Sequence, residues 1–329
     1  MTRLQQILVG ILAVQIALAV FVFWPKPAAQ GANEPLLPGF VPNDVISLTI
    51  QSEDGKRIAL AKDGDNWIMA DADKYPAMGD KIVQFLQKIE KVRTDRLVTQ
   101  TEASQKQLKV AADAYNRLVE MTMKDGSQHT IYVGNSVGAG ATHVRADDQS
   151  NVYLTSEMQL YEIDPTATSW IDTLYYTVPE TTTVALTLEN ANGKYEFVKD
   201  GDKWTMNGLA AGETFAENNL QTVLGQVLSM RLVRPIGKQE KPELGLDKPQ
   251  ATITIKTQED GQDKTYTLRI GAKDEKENNY VAAWSGSPYY VWVAGFTPKD
   301  LIDKTHQSFL VLPPTPTPAA GAAPAQPGG

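Results

Sequence analysis

Cysteine is absent from the 329 residues, and histidine occurs only three times. The first absence removes disulfides, thiolate nucleophiles, Cys-ligated zinc and iron–sulfur centres. The second leaves little for general-base or metal chemistry, since His129, His143 and His306 share no ligand spacing of the His-x-x-x-His kind. Basic runs are missing too: no stretch of Lys or Arg exceeds two residues. Net charge is -8, and residues 1–24 hold only Arg3, so the remainder carries -9. A surface of that sign repels phosphates and anionic headgroups, and nucleic acid is not expected as a partner. Gly-x-Ser-x-Gly and other nucleophile signatures do not occur.

Long apolar runs are confined to one place. Leu4 to Trp24 contains no charge and only three Gln residues. About 20 helical residues cross a hydrocarbon core of about 30 Å, so residues 1–24 read as a transmembrane signal anchor. Trp24 suits the outer interface, and Pro25 and Pro27 end the helix. Arg3 before the segment and its terminal position favour a cytoplasmic N-terminus, with everything after it extracytoplasmic at the cell membrane. A cleaved signal peptide is the competing reading, but its apolar region would be shorter. Residues 25–42 read as a linker, and residues 312–329 as a disordered Pro/Ala-rich tail of polyproline-II character.

What is present is a body written twice. Lys62-Asp63-Gly64-Asp65-Asn66-Trp67-Ile68-Met69 returns as Lys199-Asp200-Gly201-Asp202-Lys203-Trp204-Thr205-Met206. Before it, alternating segments Val45–Ile50 and Val184–Leu188 read as strands, each followed by a turn and a second strand. Asp-Gly pairs at 63–64, 125–126, 200–201 and 260–261 suit tight turns between antiparallel strands. Ile82, Phe85, Leu86, Ile89 and Val92 form one helical stripe, and Leu220, Val223, Leu224, Val227 and Met230 repeat it 138 positions later. A closing meander follows each helix. The expected class is α+β: two similar modules over residues 43–178 and 179–311, each an antiparallel sheet of hairpins covered by one amphipathic helix.

Leu244-Gly245-Leu246-Asp247-Lys248-Pro249, the strand Thr252–Ile255, Asp260-Gly261 and Leu268-Arg269-Ile270-Gly271 resemble the bacterial domain-of-unknown-function family numbered 4340. The single Trp after an Asp-Gly turn and the helix behind it are similar too. The resemblance covers residues 43–311 in two copies. The first copy departs from it, having Leu108-Lys109-Val110-Ala111-Ala112-Asp113 without the Gly and Pro. The resemblance implies an anchored protein encoded beside an ABC-type export system like that linked to gliding motility. It supplies no catalytic residues.

The remaining polar motifs have structural readings. Asp63/Asp65 and Asp200/Asp202, even with Asp71 and Asp73 nearby, lack the ligand set that calcium needs. The Gly134–Ala141 loop lacks Gly-Lys-Ser/Thr and lies between strands, so it reads as a hairpin loop. Trp67 and Trp204 are expected between sheet and helix. Trp284, Tyr289, Tyr290 and Trp292 cluster at one turn and form the candidate contact surface. No catalytic, cofactor-binding or metal residue is expected, and no enzyme. The sequence therefore reads as a membrane-anchored, non-enzymatic interaction or accessory protein of the cell envelope, and the family resemblance implies ABC-type transporter subunits, or other envelope proteins, as its partners. An envelope ligand-binding protein or hydrolase, with a site between the modules, is the alternative.

Overall fold

The computed structural model describes residues 33–311 except Ala139 and Asp260, together with Gln15. The expected anchor, Gln15 apart, and the expected tail lie outside the described residues. Among those described, no helix is long and apolar enough to cross a membrane.

The chain divides into two compact units. The first runs to Ser169 without Ile68–Ala77; the second comprises Ile68–Ala77 and the chain from Trp170. The linker expected over residues 25–42 is shorter than the sequence suggests. Leu36, Leu37 and Phe40 are buried, and Leu36 N donates to Val92 O at 2.9 Å. Three apolar side chains in a Pro-rich stretch gain more from a core than from solvent.

The earlier part of the chain forms β1 (Val45–Ser52), β2 (Arg57–Asp63), β3 (Asn66–Met69), β4 (Tyr75–Pro76), helix α1 (Gly79–Lys91) and β5 (Leu97–Thr99). Helix α2 (Glu102–Gln107), β6 (Val110–Ala111), β7 (Ala114–Tyr115), β8 (Arg117–Met123), β9 (Gln128–Val137), β10 (Ala141–Ala146) and β11 (Val152–Thr155) follow. The later part forms β12 (Leu174–Thr177), β13 (Thr183–Asn190), β14 (Gly193–Asp200), β15 (Lys203–Met206), α3 (Glu217–Val227), β16 (Ser229–Arg231) and β17 (Arg234–Gly237). It ends with β18 (Ala251–Glu259), β19 (Gln262–Asp274), β20 (Asn279–Trp284), β21 (Tyr290–Ala294) and α4 (Phe296–Asp303).

The two large sheets share one strand plan. One is ordered β4-β3-β2-β1-β8-β9-β10-β11-β5, the other β15-β14-β13-β18-β19-β20-β21-β17. Among the described residues the strands pair antiparallel, as hairpins joined by Asp-Gly and Asn-Gly turns require. The irregularities repeat as well. The first strands of the two sheets shift register between Val45 and Ser47 and between Thr183 and Ala185, so the buried positions step by three there before alternation resumes.

A second repeated bulge explains a repeated glycine. On β9, Gly134 and Asn135 together face His143, because Val144 pairs with Val133 and Thr142 with Ser136. On β19, Gly271 and Ala272 face Val281 in the same way. A Cβ on Gly134 would lie 2.1 Å from Leu108 O, and one on Gly271 2.1 Å from Leu244 O. Only glycine permits that backbone approach. Nearby, Gly245 takes φ +64°, and Lys109 takes φ +59° at the matching place. The first unit holds a lysine there in the conformation that the second gives to a glycine.

Each helix buries four of the five residues of its expected stripe, Ile82, Phe85, Leu86 and Ile89 in α1 and Leu220, Val223, Leu224 and Val227 in α3; the helices end earlier than the periodicity suggests, so Val92 caps α1 and Met230 lies on β16. Together with buried alternate positions such as Leu48, Ile50, Val119 and Ile131, or Leu186, Leu188, Ile253 and Ile255, they form the two cores. A fully buried aliphatic side chain contributes about 1.5–3 kcal/mol. The short helix α2 was not foreseen in its polar stretch. Thr101 starts it, its hydroxyl accepting from Ser104 N at 3.4 Å.

Candidate functional site

The repeated Lys-Asp-Gly-Asp-x-Trp sequence builds one local structure twice. Lys62 Nζ lies 5.6 Å from the Trp67 ring centre, and Lys199 Nζ lies 6.0 Å from that of Trp204. The Asp-Gly turn folds the lysine back over the buried indole, which rewards the pair by cation–π attraction. The Nε1 atoms of both tryptophans are buried without a hydrogen-bond partner. The repeated motif is thus accounted for by packing.

The four aromatic residues singled out in the sequence fall on β20, β21 and the turn between them, in the second unit. Strand alternation separates them. Trp284 is 6% exposed, stacked on Tyr176 at 3.8 Å and on Tyr266 at 5.1 Å. Tyr290 and Trp292 lie on the other face, half-buried against Leu244, Leu246, Val281 and Ala283. Tyr289 in the turn is also half-buried. Three of the four therefore present part of their surface, and Trp284 is a core residue.

Polar contacts fix each exposed ring. The Tyr290 hydroxyl donates to Glu240 Oε2 at 2.8 Å, and Arg269 forks onto the same carboxylate at 3.1 and 3.0 Å. Those bonds, Arg269 first, hold the Glu240 carboxyl below the usual carboxylate range. Arg234 lies over Trp292 at 5.1 Å. The Tyr175 hydroxyl accepts from Trp284 N at 3.0 Å and donates to Tyr289 O, which pins both ends of the turn. Burial pushes the Tyr175 hydroxyl up.

Ile68–Ala77, also in the second unit, packs on the same turn. Tyr75 meets Tyr289 edge-on at 4.8 Å, and Tyr289 donates to Lys74 O at 2.9 Å. Asp73 accepts from Lys238 N at 2.6 Å. Asp73 and Lys74 are consecutive residues in the left-handed region, at φ +49° and +64°. Such a pair persists only where surrounding contacts hold it. Burial pushes the Tyr75 hydroxyl up to about 12, with Tyr175, Asp172 and Tyr289 adding to the effect. Between these groups lies a pocket of about 220 Å³ lined by Thr267, Arg269, Trp284, Ser287, Tyr289 and Tyr290 among others.

The other sequence candidates stay apart. His129 Nδ1 meets Asp147 Oδ2 at 3.1 Å, His143 Nδ1 meets Asn135 O at 2.7 Å, and His306 Nε2 meets Glu213 Oε2 at 2.8 Å. Among the described residues no three His, Asp or Glu side chains gather as a metal would need. A larger cleft, of about 700 Å³, lies in the first unit beside the β1–β2 turn. Nothing in the sequence marked it, because its walls come from residues 52–56, 116–117 and 160–166.

Comparison with known proteins gives one positive result. A family model described as Domain of unknown function (DUF4340) matches residues 67–249, as a single span from the Trp67 strand through the Leu244–Pro249 segment. No curated protein and no solved structure matches. That span covers more than half of the chain and contains Trp67, Trp204 and both helical stripes, so this protein belongs to the DUF4340 family.

Proposed function

We propose that this protein is a membrane-anchored, extracytoplasmic interaction protein, and that it serves as an accessory component of an ABC-type transport system. The Tyr289–Tyr290–Trp292 face of the second unit is its contact surface in this reading. The observation that carries it is the partial exposure of three large aromatic side chains on one turn and strand, each held by a hydrogen bond or an overlying cation. Interface centres are enriched in Tyr, Trp and Arg, and pre-ordered side chains lose little entropy on binding. The transporter link rests on the family resemblance, and the two-copy reading on the repeated strand plan.

Affinity purification of the tagged full chain from detergent-solubilised membranes tests it. Co-purification of transporter subunits is expected, with loss of those subunits in a Tyr290→Ser/Trp292→Ser variant. Recovery of the chain alone would contradict the proposal.

A ligand-binding role is favoured by one separate observation, the cleft of the first unit. Asp54 in that cleft is unsuited to the general-acid role of a hydrolase. Hydrogen bonds from Ser52 and Lys56 hold Asp54 down to about 2, whereas a general acid needs its carboxyl raised.

A further inference from the structure

Five charged residues line the cleft of the first unit: Glu53, Asp54, Lys56, Arg117 and Asp164. Four are accounted for by the protein. Glu53 pairs with Lys109. Asp54 pairs with Lys56 at 3.2 Å and takes the Ser52 hydroxyl. Asp164 accepts from Thr166 N at 3.0 Å and has further contacts.

Arg117 differs. Its Nε donates to Ile163 O at 2.7 Å and its Nη1 to Asn116 O at 2.8 Å, both neutral acceptors. Among the described residues no carboxylate pairs with it, and it is half-buried in the cleft wall. Arg269 in the second unit shows what such a guanidinium ordinarily obtains. It too donates to a main-chain carbonyl, Leu246 O at 2.9 Å, but Glu240 also engages it through two hydrogen bonds. Arg117 holds the carbonyl contacts without the carboxylate. Its two main-chain bonds orient the group, and its remaining N–H groups are left for a fork onto an incoming anion.

The surroundings choose the anion. A dianionic phosphate would meet Glu53, Asp54 and Asp164 against Lys56 and Arg117, a lining that is acidic on balance and disfavours a second negative charge. A carboxylate carries one charge and matches one guanidinium. The exposed carboxylate of Asp54 stays ionised throughout the physiological range and suits an ammonium group. The volume, about 700 Å³, falls in the usual small-ligand range of roughly 300–1,000 Å³.

We propose that this cleft is a recognition site for a zwitterionic ligand of amino-acid or short-peptide type, its carboxylate held by Arg117 and its ammonium taking the place of the exposed Lys56 beside Asp54. The site lies outside the aromatic face and does not depend on the transporter reading.

The test is calorimetric titration of the purified full chain in detergent with three probes: L-alanyl-L-alanine, its C-terminal amide, and its N-acetyl derivative. The free dipeptide is expected to bind, and the amide to bind roughly tenfold more weakly or worse, since it lacks the charge that Arg117 engages. Inorganic phosphate should not displace the dipeptide. Arg117→Gln should abolish binding; because Arg117 also anchors Ile163 O, its folding is checked by circular dichroism. Asp54→Asn, at an exposed position, should weaken the free dipeptide several-fold and leave the N-acetyl derivative unchanged. Absence of dipeptide binding at millimolar concentration, equal binding of acid and amide, or displacement by phosphate would each overturn the proposal.

Discussion

Tyr153 on β11 and Trp292 on β21 occupy matching strands of the two sheets, yet they do different things. Tyr153 is 6% exposed and accepts from Asn151 Nδ2 at 2.8 Å. Trp292 is half-buried, with Arg234 over its ring and Tyr290 beside it on the same face. The two units also divide their recesses differently. The first has a wide polar cleft around Arg117; the second has a small pocket walled by Trp284, Tyr289 and Tyr290. By contrast, the lysine-capped tryptophans, the bulge glycines and the helix stripes coincide. Shared positions hold the fold, and the positions that differ carry the surfaces proposed above for a partner and a ligand.

That division can be broken by paired substitutions, and the largest effects belong to the shared core. Leu86→Ala and Leu224→Ala each remove a fully buried side chain from a helix stripe and should each cost about 2–5 kcal/mol. Denaturant unfolding followed by circular dichroism measures this. A cost near zero at one site alone would mean that the two stripes are not equivalent.

Next come the bulge glycines. Gly134→Ala and Gly271→Ala press a methyl group onto a main-chain carbonyl, and each should destabilise by about 1–3 kcal/mol in the same assay. Gly245→Ala should cost about 1–2 kcal/mol for the left-handed conformation alone. The matching Lys109 already bears that strain, so Lys109→Ala should be far milder, losing mainly the contact with Glu53.

Tyr175→Phe tests what belongs to the second unit only. It removes the acceptor of Trp284 N and the donor to Tyr289 O, at an expected cost of about 1–3 kcal/mol. A change in the near-ultraviolet circular dichroism of the aromatic cluster should accompany it.

The smallest effects are two. Lys62→Met and Lys199→Met should each cost about 0.5–1 kcal/mol, equally in the two copies. Acid should loosen the aromatic face through Glu240. Its carboxyl is depressed in the folded chain, so its contribution is complete above the ordinary value of 4.5 and declines as pH falls below it. Near-ultraviolet circular dichroism should be flat above that pH and change beneath it.

Much of this fold was legible because its signals are local. The helix stripes at three- and four-residue spacing, and the Asp-Gly turns between alternating strands, each lie within a window of a dozen residues. Leu36, Leu37 and Phe40 were obscured by the prolines and glycine around them, which read as spacer until Leu36 meets Val92. The candidate surfaces were less legible. The clustering of Tyr289, Tyr290 and Trp292 in sequence was visible, but the alternation that buries Trp284 depends on where β20 ends. Arg117 gave no signal, since its significance comes from Ile163 and from the carboxylate it lacks. Contacts separated by 46 residues leave no periodic trace.

The most direct test of the division between shared architecture and unshared surface is a comparison of two variants in one affinity purification. Tyr290→Ser/Trp292→Ser alters the half-buried aromatic face; Lys62→Met/Lys199→Met alters the repeated motif. The first is expected to lose its co-purifying subunits and some thermal stability while keeping the far-ultraviolet circular dichroism of the folded parent, and the second to keep them. Retention by the first and loss by the second would contradict that division.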